Sequence, residues 1–429
     1  MSVDANKNHY NSSHEQEMAG HEILLTRRHF LYGTVALGAL AIAASSSFSS
    51  SVAYADDEQI STLEVAEDAV FTLEDCTETT WSDSVHLVAQ FELPYGALMW
   101  NNHESYAACL LPTETAHPLT QAGVIHLESA TYSVLLETAV DHAQGYDIYD
   151  VRLNDKGIIW TEANVLSEMW SVYCAVFDGI TIGQPFKVAE GDGQWETPTI
   201  AAVGSYAYWQ TLPVASGQHR TENSTVARVG FGRTNIEEVY TSEGRMCSPI
   251  YPLPDSLVIT PRTATDAVHH QLTLLDGESA EVKDSMVLPQ SMKPLEAGYG
   301  MGGFTFAFDG IYNYGGGIAN LGTYTPASPH QAYDYENKTW FRFERAPSAA
   351  PAWCNNLFIV KSTRSVCGVD LKAKTYFAID YESGSDSYGD YLATTGNVGS
   401  FVTYTNINTE TIYGETKKYC LVRVWAPQQ

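Results

Sequence analysis

The apolar positions of this chain fall into short runs that often alternate with polar residues and are broken by Asn, Asp, Gly and Pro; long runs with a helical period are scarce. One segment recurs: a short strand, a tight turn, and a second strand rich in aromatics. Its turns are Asn154-Asp155-Lys156-Gly157, Gly204-Ser205, Pro254-Asp255, Asp309-Gly310, Asn355-Asn356 and Gly399-Ser400. These are hairpin-turn residues, because Asn, Asp and Gly tolerate the left-handed backbone that tight turns need. A second hairpin follows most copies, with third strands running into Asp178-Gly179, Asp276-Gly277 and Asp370 and fourth strands around Val188, Tyr240, Val282, Phe341 and Phe377. Four strands per repeat, at a period of very roughly 35–60 residues, predict an all-β fold, a single β-propeller. The count is seven blades, with six or eight as alternatives. The earliest repeat reads as strands at 85–92, 97–101, 106–111 and 131–138. The last shows three strands and ends at Trp425; a fourth, supplied by the mature N-terminus around 69–73, would close the ring.

The first 55 residues carry a different pattern. Thr26-Arg27-Arg28-His29-Phe30-Leu31 resembles the twin-arginine export consensus, and an apolar stretch at 32–44 follows it. A Ser-rich segment then leads to Ala53-Tyr54-Ala55, a small-x-small cleavage site. The apolar stretch falls short of the roughly 20 residues that span a bilayer. The expected organisation is a cleaved signal at 1–55 and a propeller at 56–429. The resemblance implies passage through the twin-arginine translocase in a folded state, an extracytoplasmic location and no stable membrane insertion after cleavage.

The turn-then-aromatic repeat resembles the blades of TolB-like propellers, which often carry Asp-Gly in that turn; Asp155-x-Gly157 and Asp309-Gly310 come near the motif. Asp155, Gly157 and Trp160 also match part of a glycosidase-type Asp box, but Leu153 and Ile159 do not, so sialidase chemistry is not supported.

Composition narrows the partners. The chain has 23 Lys+Arg against 51 Asp+Glu, a formal net charge of −28. Such a chain repels phosphate backbones and anionic lipid, which excludes nucleic acid as a partner. Seven Cys occur without a CxxC or a zinc-like spacing, so neither a metal site nor a cofactor is expected. Cys174, Cys367 and Cys420 share one phase of the third strand and read as buried structural residues, with Ala227 in the same place elsewhere. No His stands in a recognisable relation to any Cys, which argues against a nucleophilic thiol.

The candidate chemistry lies at one end of the ring. Loops between second and third strands carry His219, Arg220, Arg262, His269, His270, Lys361, Arg364, Lys417 and Lys418, and Arg245 lies in a segment leading into a blade. Segments of the latter kind also carry Trp195, Glu196, Tyr299 and Trp353. Arg offers a planar fork for carboxylate or phosphate, and aromatics offer stacking area. Arg220, Arg245, Arg262, Lys361, Arg364, Trp195, Glu196, Tyr299 and Trp353 are therefore the candidate ligand-binding residues. The bland alternatives are solvated loops and aromatics packed between blades. The function expected is a binding or scaffold protein for a small anion or glycan. The competing class is a secreted glycan-active hydrolase or lyase, for which no catalytic constellation is legible.

Overall fold

The structure, a computed structural model, describes residues 61–113, 119–263, 268–309, 322–326, 339–343, 347–410 and 416–428; the signal motif and its cleavage site lie outside the described residues. The fold is all-β, a single β-propeller. Six blades follow one another along the chain, each of four consecutive antiparallel strands. Blade one is Leu98–Trp100, Tyr106–Pro112, Leu119–His126 and Thr131–Leu136. Blade two is Asp147–Leu153, Gly157–Asn164, Met169–Val176 and Phe186–Gly191. Blade three is Thr199–Val203, Tyr206–Thr211, Ser224–Gly230 and Ile236–Ser242. Blade four is Tyr251–Pro252, Ser256–Ile259, Gln271–Asp276 and Val282–Val287. Blade five is Lys293–Gly300, Gly303–Asp309, Gly322–Pro326 and Trp340–Phe343, and blade six Ala352–Cys354, Leu357–Lys361, Val366–Asp370 and Thr375–Ala378.

The ring is completed by a composite sheet, ordered Tyr391–Leu392, Phe401–Glu410, Thr416–Pro427 and Val85–Leu93. Its outer strand comes from the other end of the sequence, with Val85 opposite Pro427 and Leu93 opposite Cys420. The expectation of seven repeated, TolB-like blades is corrected accordingly. Six blades are continuous repeats, and the remaining sheet is a closure assembled from both ends of the described chain. The closing strand is 85–93 rather than 69–73, and 85–92 does not begin the first repeat.

Residues 61–84 instead run as a belt along the outer edges of three blades. The Leu63 N–H donates to the Val287 carbonyl of blade four (2.8 Å). Val70 and Phe71 pair in parallel with Trp340 and Phe341 of blade five, and Thr77 and Glu78 with Thr375 and Tyr376 of blade six. Trp81 then packs edge-on against Trp425, with ring centroids 5.3 Å apart, where the closing strand begins.

Burial follows position in the blade. Gly157–Asn164 and Met169–Val176 are buried almost throughout, because both faces of a middle strand meet neighbouring blades. Outer strands such as Ile236–Ser242 keep their solvent face. The third-to-fourth strand pairing slips register at the same place in blades one to three, next to Gly123, Tyr173 and Ala227, and two residues nearer the following turn in blade four, next to Leu275. A recurrent bulge of this kind adds twist where each blade turns outward. The turn that follows is held by an Asp side chain in alternate blades. Asp178 accepts the amides of Ile180 and Thr181, Asp276 those of Glu278 and Ser279, and Asp370 those of Lys372 and Ala373. This is the physical content of the Asp positions visible in the sequence.

At the axis, the segment after Leu392 crosses toward blade six, where Gly396, Asn397 and Val398 pair in parallel with Ala352, Trp353 and Cys354. Gly396–Val398 is thus not the first strand of a hairpin, as the turn at Gly399-Ser400 suggested. The Gly396 amide donates to the Tyr251 hydroxyl (2.8 Å), which itself donates to the Pro351 carbonyl (2.6 Å). Gly396 has φ +83°, and a Cβ there would lie 3.0 Å from the Pro252 carbonyl oxygen, so glycine is required twice over. Thr394 reaches Asn101 of blade one (3.0 Å), so this segment ties blades one, four and six across the centre.

The division between belt and closure predicts an asymmetry. Removing residues 61–78 should leave a cooperative thermal transition by circular dichroism, with a lowered midpoint. Removing 61–93 should abolish that transition, because the composite sheet loses its outer strand. Equal midpoints for the two truncations would refute the assignment of 85–93 as the closure.

Candidate functional site

In a ring of antiparallel blades, second-to-third strand connections and the connections between blades emerge at the same end. The first-to-second turns emerge at the other. Arg220 lies in the second-to-third connection of blade three, Arg262 in that of blade four and Arg364 in that of blade six. Trp195 and Glu196 lie between blades two and three, and Arg245 between blades three and four. These residues therefore share one end of the ring. Tyr299 and Trp353 do not. Blade five begins at Lys293, so Tyr299 sits at the far end of that inner strand, and Trp353 lies one residue from the first turn of blade six.

The two aromatics have other tasks. Trp353 is 2% exposed and packs on Phe358 with ring centroids 5.0 Å apart. Its indole occupies the space a side chain on Gly300 would need, 1.9 Å from the position of a Cβ there. It belongs to the contact between blades five and six. Tyr299 donates to Asp284 Oδ2 (3.0 Å) and lines a shallow cavity of about 540 Å³ at the opposite end, with Asp255, Lys283 and Asn397. Burial raises its phenol pKa, and the Asp284 carboxylate adds to this.

The basic residues also divide. Lys361 is 2% exposed; its ammonium donates to the carbonyls of Tyr388 (2.6 Å) and Thr363 (3.2 Å), bracing the connection out of blade six. It is a structural lysine with no open side. Nearby Arg423, also buried, pairs with Asp390 and with Glu382 (3.3 Å). Arg364 is exposed and lies over the Tyr381 ring, 5.1 Å from its centre.

A denser cluster forms between blades two and five. Arg245 pairs with Glu196 (2.6 Å) and also donates to the Pro213 carbonyl. The Glu196 amide donates to the Leu212 carbonyl (2.9 Å), so this bridge fastens two neighbouring connections. Trp195 stacks on His219, with centroids 6.0 Å apart and rings 28° from parallel, and His219 meets Glu222. Arg220, next to His219, is exposed. Arg262 is anchored by its backbone, which donates to Ser242 Oγ (2.9 Å) and bridges to His270, and its buried Nε has no hydrogen-bond partner among the described residues.

One pair at the centre of this cluster overturns a sequence expectation. The Cys247 thiol lies 3.3 Å from His270 Nδ1 and 3.5 Å from Nε2. A His does stand beside a Cys, in the only such contact among the described cysteines. Burial drives the His270 pKa down from 6.5 to about 4, and the positive charges of Arg262, Lys293 and His269 push the same way. Burial raises the Cys247 thiol, while Lys293, Arg262 and Arg245 oppose that rise. The pair rests as neutral thiol and neutral imidazole inside a cationic setting. Among the described residues no group of three or more His, Cys, Asp and Glu is disposed to hold a metal ion, and no helix is long and apolar enough to cross a membrane. Cys174 and Cys420 are buried as expected, whereas Cys367 is partly exposed.

The depressed His270 pKa has a consequence for stability. The folded state binds a proton at His270 less readily than the unfolded chain, so the contribution is complete above pH 6.5 and is lost as pH falls toward about 4. His270→Asn should flatten the fall of melting temperature across that window relative to the parent. Parallel curves for the two proteins would show that His270 does not titrate this way.

No protein-family model matches the chain, and no curated protein matches it. The TolB-like resemblance thus gains no support. Solved structures are similar at low identity. A chain in a structure of the mitotic checkpoint complex has 9% identity and TM-score 0.44, covering 87% of this chain and 98% of that one. An oligogalacturonate lyase from Vibrio parahaemolyticus has 9% identity and TM-score 0.41, covering 79% and 97%. A prolyl endopeptidase has 12% identity and TM-score 0.47, covering 81% of this chain but 48% of that one.

Proposed function

We propose that the protein is an exported propeller that binds a small carboxylate-bearing ligand, such as an acidic sugar, at the end of the ring where blades three, four and five meet. The observation that carries this is that Arg245, Arg262 and Lys293, from connections at one end of the ring, all lie close enough to the partly exposed Cys247 to act on its thiol electrostatically, in a chain of net charge −28. Glu196 offsets part of the Arg245 charge. Among the described residues the buried Nε of Arg262 has no hydrogen-bond partner, and such a guanidinium donor favours a carboxylate acceptor. The stacked Trp195 and His219 rings offer a flat surface for a ring-bearing ligand. Lys361, Arg364, Tyr299 and Trp353 fall outside this sector and Glu196 is taken up by Arg245, so the ligand set proposed is Arg220, Arg245, Arg262, Lys293 and Trp195. A second reading, a hydrolase or lyase acting on the same ligand class, is favoured by Cys247 and His270, which supply a nucleophile and a base beside the cations.

The test is thermal-shift and calorimetric screening of the chain against uronates and small dicarboxylates at low salt. A hit should weaken by roughly tenfold in Arg262→Ala, as expected for losing a charged hydrogen bond, and should be unaffected by Arg364→Ala. Binding that depends on Arg364 and not on Arg262 would overturn the site. Consumption of the hit over hours would favour the enzyme reading.

Export is supported by the Thr26-to-Leu31 motif and the Ala53-x-Ala55 site. Replacing Arg27 and Arg28 by Lys should retain the precursor in the cytoplasm, as read by fractionation. Unchanged export of the double variant would refute it.

A further inference from the structure

The seven cysteines are not alike. Cys109, Cys174, Cys354 and Cys420 are buried, while Cys76, Cys247 and Cys367 reach the surface in part. Of these three, Cys76 has its sulfur against the Thr72 carbonyl (3.5 Å), and Cys247 faces a ring nitrogen. The Cys247–His270 geometry is fixed from both sides. The Cys247 amide donates to Thr260 Oγ1 (3.1 Å), and the flanking amides of Met246 and Ser248 donate to Ser224 Oγ (3.0 Å) and Thr260 Oγ1 (2.8 Å). On the other side, the His270 carbonyl accepts the Leu288 amide (2.8 Å). A thiol and an imidazole are thereby held in contact in the segments flanking the first two strands of blade four, with the sulfur 3.3 and 3.5 Å from the two ring nitrogens, so a turn of the ring is what brings one lone pair onto the thiol.

We propose that Cys247 is a nucleophilic thiol, with His270 as its proton acceptor, that bonds covalently to a small carboxylate-bearing electrophile drawn in by Arg245, Arg262 and Lys293. The proposal rests on the anion-binding reading of the same site. In the step, the S–H proton passes to a His270 ring nitrogen while sulfur forms a bond to the electrophilic carbon. The leaving group departs with its bonding pair, and the imidazolium then returns the proton to the leaving group or to water. The charged and titratable groups whose fields reach the pair are Arg245, Arg262 and Lys293 from neighbouring segments and His269 next to it in the chain. Their field favours the thiolate and disfavours the imidazolium. A bound carboxylate cancels part of it and lets His270 accept the proton, which couples activation to arrival of the ligand.

Two alkylating reagents of nearly equal size test this, anionic iodoacetate and neutral iodoacetamide, applied to the full chain with peptide mapping by mass spectrometry. Cys247 should be alkylated at least about tenfold faster than Cys76 by iodoacetate, with a higher iodoacetate-to-iodoacetamide rate ratio than Cys76 has. Arg262→Ala should remove that excess ratio and keep the iodoacetamide reaction. His270→Asn should slow both reagents at Cys247 while the Cys76 rate stays that of the parent, which also reports that the variant is folded. Reaction of Cys247 at the Cys76 rate with both reagents, or an unchanged ratio in Arg262→Ala, overturns the proposal. An inert Cys247 together with Arg262-dependent binding of a carboxylate ligand would sink this inference alone. A fast, Arg262-dependent iodoacetate reaction without any reversible carboxylate binding would instead count against the binding reading.

Discussion

The antiparallel pairing of Val85–Leu93 with Thr416–Pro427 is the constraint on which everything else rests. A propeller blade buries its middle strands only if a blade stands on either side, so an open ring would expose two apolar faces. Here the last blade-like unit is completed by a strand more than 300 residues away in sequence, and the chain reaches it by way of the belt on blades four, five and six. Closure also recruits the axis. The Leu392-to-Phe401 connection of the composite sheet lies against the inner strand of blade six and takes hydrogen bonds to blades one and four. Outer edge and centre are thus fastened by the same sheet. Buried polar groups fix its lead-in segment: Arg423 with Asp390, and Lys361 with two carbonyls. Removing one partner of a buried ion pair costs about 3–5 kcal/mol, which makes Arg423 a brace and not a ligand group.

The charge distribution gives the ring two unlike ends. At one, Tyr299, held by buried Asp284, lines a shallow cavity beside the axial segment. At the other, Arg245, Arg262 and Lys293 lie close enough to a thiol–imidazole pair to act on it electrostatically. An acidic chain offers an anion few places to rest, and long-range repulsion sets a threshold that local positive potential must exceed. Partly buried Arg262 and its neighbours meet this condition better than an exposed arginine such as Arg364, whose charge is screened by solvent and which already lies over Tyr381.

Much of the fold was legible because hairpin chemistry is local. Asn154, Asp178, Asp276 and Asp370 mark turns that their own side chains build, and four of the inner hairpins fall where the aromatic repeat put them. Pairing partners were not legible. The run at 85–93 has the look of any strand, and only a partner 300 residues on makes it the closure. In blade five, Asp309-Gly310 has the residues of a first turn, whereas Met301-Gly302 forms it; that one-strand slip puts Tyr299 at the other end of the ring from the one its sequence position suggests. The Cys247–His270 contact was missed for want of a sequence motif, since 23 residues and two strands separate the pair. A signal was present nonetheless. Cys247 precedes the first strand of blade four and His270 follows its second, and those two connections must emerge at the same end.

The claim that this cationic sector is the anion site of an acidic propeller is tested most directly with the simplest anion. In crystals of the protein soaked in bromide, anomalous scattering locates each bound ion without any assumption about the natural ligand. The account predicts the strongest bromide peak among Arg245, Arg262 and Lys293, within reach of the Arg262 Nε. A strongest peak beside Arg364, or at the end of the ring that carries Tyr299, with none in the sector between blades three and five, would contradict it.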